Sequence, residues 1–257
     1  MKVMFDSNTW RLVVNPEQHT SDPDYTQCKA IHDAIIAGKI EAFLSETIFT
    51  IEAIIRKHRQ GYFAKMKPKT TSSEKVFNET IRISISLEPN EDDAILFDQN
   101  TQILKEYFEK AVKMGFRIVC LPRIGGIVNP EVKKNLYSVP NFNEFFERGA
   151  EVSEKITSMG AGYAWIKKYG EKYNHNWLKG IKNSPVTENK KISKAAAEWA
   201  DGESVSICIG LGCDYFCTRD QACGAGSDSV FSVANQEWLK RDYGFKTVNI
   251  TELAEKL

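Results

Sequence analysis

The sequence predicts an α/β fold around a central, mostly parallel sheet, and three stretches predict it. A short apolar run at residues 2–5 ends directly on Asp6-Ser7-Asn8. A helix and a second strand follow over 22–44, completing a strand–helix–strand opening, and a late apolar strand at 215–217 ends on Thr218-Arg219-Asp220. The long segment between reads mainly as helix. The expected organisation is therefore an α/β core formed by 1–60 and 191–257, with a large, mainly helical insertion or subdomain at 61–190.

Each element has a local reason. Residues 2–5 are apolar and meet a polar turn, as a central strand does at its carboxyl edge. Over 22–37 the apolar positions Tyr25, Cys28, Ile31 and Ile35 recur at helical spacing, with Ser21 as cap and Gly38 as stop. Residues 40–44 read as the next strand. Ser45 can cap a helix over 46–59 whose stripe is Ile48, Ile51 and Ile55. Glu52 sits on the border of that stripe, where an acid is costly without a partner, whereas Glu46 in the first turn simply favours the helix dipole. Of the two, Glu52 is the one expected to matter.

Lys65, Lys67, Pro68 and Lys69 mark an exposed linker, and the alternation over 80–87 predicts a half-exposed strand. A long helix is expected over 92–114, stopped at Gly115, then a strand over 116–121 ended by Pro122. After the helical middle, 195–200 is helix-forming, and Asp201 leads the compact apolar run 203–211. Residues 229–243 read as a helix with Val230, Val233 and Trp238 inward. A last strand at 245–248 precedes a short helix capped by Thr251.

Composition excludes several classes. With 257 residues, 42% hydrophobic and 26% charged, the chain has the balance of a soluble domain. No apolar run approaches a membrane span, the start lacks the apolar core of a signal peptide, and the six cysteines show no secreted framework. A cytoplasmic protein with reduced thiols is expected. The 34 basic and 34 acidic residues cancel, so nucleic-acid binding through a global positive field is disfavoured and a functional site must rest on local chemistry. Cys208, Cys213, Cys217 and Cys223 lack paired C-x2-C spacing and read as packing rather than zinc ligands. The rings and lysines between Tyr163 and Lys182 suit either a nucleic-acid surface or an amphipathic packing face, and the packing face is the better reading.

The chemistry lies in Asp6, Glu52, Asp201 and Asp220. Sites in such sheets lie beyond the carboxyl ends of the strands, where Asp6 and Asp220 stand. Several carboxylates in one cleft do not stay ionised together without a cation, and hard oxygen ligands favour Mg²⁺ or Mn²⁺.

These motifs resemble the PIN domain (PilT N-terminus) nucleases. F-D-S-N-T supplies Asp6 and Asn8, S-E-T-I-F-T-I-E supplies Glu52, and the block from Asp201 through G-C-D-Y-F-C-T-R-D supplies Asp201 and Asp220. The resemblance covers roughly 1–60 and 195–257 and implies a PIN-like three-layer sandwich. It also implies hydrolysis of phosphodiester bonds, most often in RNA, with endonucleolytic cleavage of single strands through Mg²⁺ or Mn²⁺. Asp6, Asp201 and Asp220 would hold the metal, and Glu52 would complete the acidic pocket. Asn8 and Thr218 would orient ligands, Glu203 would add an acid, and Arg56, Lys57 and Arg219 would contact nucleic acid. A homodimer or an antitoxin-like protein inhibitor is a further partner open to such a chain; a membrane is not expected. Two other readings compete. One is a PIN-like binding or scaffold protein that keeps its acids without catalysis. The other is a haloacid-dehalogenase-type phosphatase, similar through D-S-N-T but lacking the second acid at Asn8.

Overall fold

The structure, a computed structural model, describes residues 1–54, 59–61, 69–77, 80–88, 102–123, 128–220 and 229–257. In chain order the strands are β1 (Lys2–Phe5), β2 (Glu41–Ser45), β3 (Lys69–Phe77), β4 (Thr80–Glu88), β5 (Arg117–Val119), β6 (Tyr215–Cys217) and β7 (Thr247–Val248). The helices are α1 (Trp10–Val14), α2 (Tyr25–Ile36), α3 (Gln102–Met114), α4 (Pro130–Lys133), α5 (Phe142–Ser158), α6 (Tyr163–Glu171), α7 (Trp177–Asn183), α8 (Asn189–Gly210), α9 (Val233–Tyr243) and α10 (Ile250–Ala254).

Five strands form one sheet in the order β5-β2-β1-β6-β7, and all four pairings are parallel. The predicted α/β class and parallel sheet are therefore present. Residue alternation sends side chains to opposite faces. Val3, Phe5, Leu44, Ile118 and Cys217 pack with α1, α2, α3 and α10. Met4, Phe43, Val119 and Phe216 pack with α5, α8 and α9 on the other side. The sheet is buried on both faces, which is why its strands read as short continuous apolar runs. Its edge strand β5 comes from within 61–190. No helix among the described residues is long and apolar enough to cross a membrane.

Several boundaries differ from expectation. Of the helix foreseen over 46–59, Ile48–Glu52 form a π-helical turn that follows Thr47 without a side-chain capping bond; Ser45 instead ends β2 and accepts the Thr47 amide at 3.3 Å. Residues 55–58, including Ile55, lie outside the described residues. The helix expected from 92 is described from Gln102, and 92–101 lie outside as well. The linker reading missed β3, which pairs antiparallel with β4 along its whole length. The apolar side of that ribbon, with Val76, Ile81, Ile83 and Ile85, is as exposed as its polar side. Two stops hold: Gly38 and Gly115 take φ of 70° and 104°, the left-handed region where a side chain is strained.

Other local assignments change because tertiary partners compete. Helix α2 begins at Tyr25 behind Asp24, not behind Ser21. Val233 is 67% exposed at the start of α9, while Val230 and Trp238 are buried as expected. Thr251 lies inside α10, whose cap is Asn249 in a capping box with Glu252; the Thr251 hydroxyl donates to Asp24 at 3.2 Å. Cys208 and Cys217 are buried and no described cysteine is in a disulfide; Cys223 lies outside the described residues.

The largest revision concerns α8. The sequence suggested a break at Asp201, yet one 22-residue helix runs through it. Asp201 is therefore mid-helix, not a leading or capping residue. The amino-terminal half of α8, through Ile192, Ala196 and Ala200, packs against Ile166 of α6, Ile181 of α7 and Ile51 and Ile54 of the β2–β3 connection. The rings Tyr163, Trp165, Tyr169 and Trp177 lean on this cluster, consistent with a packing face.

Helices α6 and α7 approach so closely that only glycine fits at their crossing. A Cβ on Gly180 would stand 1.8 Å from the Gly170 carbonyl oxygen, and one on Gly170 would stand 2.2 Å from that of Trp177. Alanine normally favours a helix by about 1 kcal/mol over glycine, but a backbone clash of this kind outweighs it. Gly180→Ala is expected to lower stability by about 1–3 kcal/mol, read as a lower urea midpoint. An unchanged or raised midpoint would show that the helices separate freely.

Candidate active site

Strands β1, β2 and β6 run parallel, so their carboxyl ends share one edge, and the chain after each carries an acid. Asp6 directly follows β1 and its amide extends the pairing to β6 by donating to Cys217 O at 3.0 Å. Its carbonyl accepts the Thr9 and Trp10 amides at 3.1 and 3.2 Å, which starts α1 and turns the chain away from the sheet. The carboxylate accepts the Ser7 amide at 2.7 Å and the Thr218 hydroxyl at 2.6 Å. Residue 6 is thus fixed from both β1 and β6.

The loop after β6 is tied to the same point. Thr218 Oγ1 accepts the Asp220 amide at 2.9 Å and the Asn8 side-chain amide at 3.3 Å. Asn8 Oδ1 in turn accepts the Arg219 amide at 3.0 Å. The short polar residues of D-S-N-T and T-R-D therefore lock the two strand-end loops together.

Glu52 comes from the π-helical turn after β2, and Asp201 from the middle of α8. The charges of these acids act on one another. Burial raises the Asp6 carboxyl above its ordinary 3.8, and Asp220 adds to this, against the hydrogen bonds of Thr218 and Ser7. Burial and then Asp6 push Glu52 up to about 7, opposed by a hydrogen bond from Ser7 and by the charges of Arg59 and Arg11. Asp201 is raised well above 3.8 by burial first, then by Asp6, Glu52, Glu198 and Asp220. Burial and nearby negative charge thus oppose ionisation of Asp6, Glu52 and Asp201, which is how like charges crowded into one site behave. Among the described residues, no group of three or more His, Cys, Asp or Glu side chains is placed so that it could hold a metal ion.

Glu198, one turn before Asp201 on α8, was not foreseen. It is buried, accepting the Val230 amide at 2.6 Å and the Gly162 amide at 3.3 Å. Its spacing of three from Asp201 was the available signal, since such residues share a helix face. Arg59, the last residue of the segment expected as a helix, is buried and donates to the carbonyls of Glu52, Ile54 and Ser193 at 2.9–3.1 Å. It ties the end of the π-helical turn to α8.

Three supporting assignments change. Glu203 does not join the four acids: it pairs with Arg123, whose guanidinium also reaches Glu46 at 2.7 Å. Glu46, dismissed as a first-turn acid, is fully buried and is also bonded by Thr50. Arg219, foreseen as a nucleic-acid contact, is partly exposed and bonds Asp22 through both terminal nitrogens and Asp24 at 2.7 Å. These pairings hold the T-R-D loop to the start of α2. Arg56 and Lys57 lie outside the described residues.

Asp220 is exposed and borders a cleft of about 260 Å³ with Thr218, Gln236, Thr247 and Glu252. A larger cavity of about 730 Å³ lies alongside, over Tyr215 between α9 and α10, and none of the four acids lines it. The crowded charge, not the cavity size, marks the chemically distinctive place. No family model matches the chain, and neither the curated proteins nor the solved structures contain a significant match.

Proposed function

We propose that this protein is a metal-dependent phosphodiester hydrolase of PIN-like type, an endoribonuclease acting on single-stranded RNA. One observation carries the reading: Asp6, Glu52 and Asp201, delivered by three separate elements, are each made harder to ionise by burial and by one or more neighbouring acids, and the negative charge of Asp220 in the loop after β6 acts on both Asp6 and Asp201. Such a cluster is unfavourable alone and becomes favourable when a divalent cation neutralises it. The donors are all carboxylate oxygens, which fits Mg²⁺ or Mn²⁺ better than softer metals.

Asp6, Asp201 and Asp220 would hold the metal, and Glu52 would complete the pocket. A bound divalent ion supplies an activated water and charge stabilisation at the phosphate. The protein's own contribution is orientation. Thr218 and Ser7 hold the Asp6 carboxylate by its two oxygens, Asn8 holds Thr218 and the Arg219 amide, and Arg59 anchors the turn that presents Glu52. Glu198 keeps the face of α8 that carries Asp201 against the 229–231 segment.

The test is cleavage of a labelled single-stranded oligoribonucleotide in Mg²⁺ or Mn²⁺. EDTA and Asp220→Asn should each abolish it. Equal cleavage by wild type and Asp220→Asn would remove the catalytic assignment. Turnover of a small phosphate ester with no cleavage of RNA or DNA would point to a phosphatase, and metal binding without any turnover to a scaffold.

A further inference from the structure

The cleft at Asp220 continues past it. Gln236, Thr247, Val248 and Glu252 line both that cleft and the larger cavity of about 730 Å³, so the two form one groove. It follows the outer side of β7, the strand that ends the sheet order, between α9 and α10. Hydrogen bonds fix its floor to the acids. Val248 O accepts the Thr218 amide at 3.0 Å, while the Thr218 hydroxyl donates to Asp6 at 2.6 Å. The Thr247 hydroxyl donates to Gln236 of α9 at 3.2 Å. Beyond the shared residues, cations gather at one ring. Lys246 and Lys256 stand 5.9 and 5.3 Å from the Tyr215 ring centroid, and all three residues line the groove. Both lysines are exposed and form no ion pair with a described residue.

We propose that this groove holds the single-stranded RNA on one side of the scissile phosphate, with backbone phosphates at Lys246 and Lys256 and a base at the Tyr215 ring. This rests on the nuclease reading above and adds where the strand lies. Carboxylates at the cleavage point repel a phosphodiester strand, and a chain of zero net charge supplies no general attraction to offset that. The attraction has to be local. Glu237, Glu252 and Glu255 also line the groove and balance its three lysines overall. What distinguishes it is the pair of ammonium groups converging on one aromatic ring, the combination of phosphate contact and stacking that single strands use. A lysine serves any phosphate as a compact charge, and a ring accepts any base, so the groove binds single strands without reading their sequence. Because Asp220 and the lysine pair line one continuous groove, a strand held at the lysines is led to the acids. Lys246, Lys256 and Tyr215 are substrate-contact residues; the carboxylates remain the reacting centre.

The experiment compares wild type, the double variant Lys246→Gln/Lys256→Gln, and Lys39→Gln, an exposed lysine just before β2 at the opposite, amino edge of the sheet. Each is given a fluorescein-labelled dinucleotide with one phosphodiester and a labelled twelve-nucleotide single-stranded RNA. In Mg²⁺ the double variant should raise KM for the long strand about tenfold while changing kcat far less, as expected for contacts made equally in ground and transition states. Its KM for the dinucleotide should stay within about twofold of wild type, because the groove acts on the rest of the strand. Anisotropy titrations of the long strand in EDTA over a salt series read binding without turnover. There the slope of log K against log salt should be shallower by about 1.4 in the double variant, at about 0.7 for each lost phosphate contact to a single strand. Lys39→Gln should match wild type throughout. A double variant with wild-type KM for the long strand and wild-type salt slope would overturn the groove while leaving the nuclease reading intact. An equal loss in Lys39→Gln would show a general charge effect and would likewise overturn it. A wild type that binds the long strand without cleaving it would overturn the nuclease reading, and the slope would still judge the groove. Neither binding nor cleavage would overturn both.

Discussion

Arg123→Ala is expected to destabilise the protein by about 3–5 kcal/mol at pH 8, the cost of leaving buried carboxylates without their cation. The guanidinium is only 9% exposed, and its two partners, Glu46 and Glu203, are 0% and 4% exposed. Burial already pushes Glu203 up to about 7, with Arg123 pulling it down and Glu46 pushing it further up. A carboxyl raised on folding binds its proton more tightly in the native state. Its contribution is intact below its ordinary 4.5 and is lost as pH rises through about 7. Without Arg123 the buried Glu203 is left to its proton, so the deficit of the variant should shrink from pH 8 to pH 5. Urea midpoints at the two pH values measure this. A loss below about 1 kcal/mol at both would place the triad among ordinary surface ion pairs.

Asp201→Asn is expected to move activity and stability in opposite directions. On the proposed metal-dependent cleavage, loss of this carboxylate should lower activity about a thousandfold, several kcal/mol of charge stabilisation at the transition state. Metal-free, the same change removes a carboxyl that Asp6, Glu52, Glu198 and Asp220 all oppose. The variant should therefore be more stable than wild type in EDTA at neutral pH, on the order of 1–3 kcal/mol. Wild type in EDTA should lose stability as pH rises from Glu52's ordinary 4.5 through about 7, and Mn²⁺ should restore it above pH 7. Melting curves with and without Mn²⁺ decide. A variant that is less stable in EDTA, or a wild type indifferent to Mn²⁺, would assign Asp201 a purely structural role.

The contrast between these two acidic groups shows what was legible in the chain. Asp6 and Asp220 could be found because each follows a short apolar strand, and strand ends announce themselves locally through D-S-N-T and T-R-D. Glu52 was legible as an acid at the border of an apolar stripe. Glu46 was misjudged because its partner Arg123 lies 77 residues further on, and Arg219 because Asp22 lies 197 residues earlier. Local spacing carries no information about such pairings.

The amino-acid sequence by itself determined the α/β class, the ends of β1 and β6, and the identity of four acids worth suspecting. These follow from periodicity and turn chemistry, which act over a few residues. Only the tertiary structure decided that α8 runs unbroken through Asp201, that Glu198 shares its face, and that Glu203 belongs to Arg123 rather than to the site. The helix packs on α5 and α6 where it passes Asp201-Gly202, and a Cβ at Gly202 would stand only 3.1 Å from the Gly162 Cα, so glycine there permits the close approach. Which charges are paired, and which are left crowded together, depends on that packing.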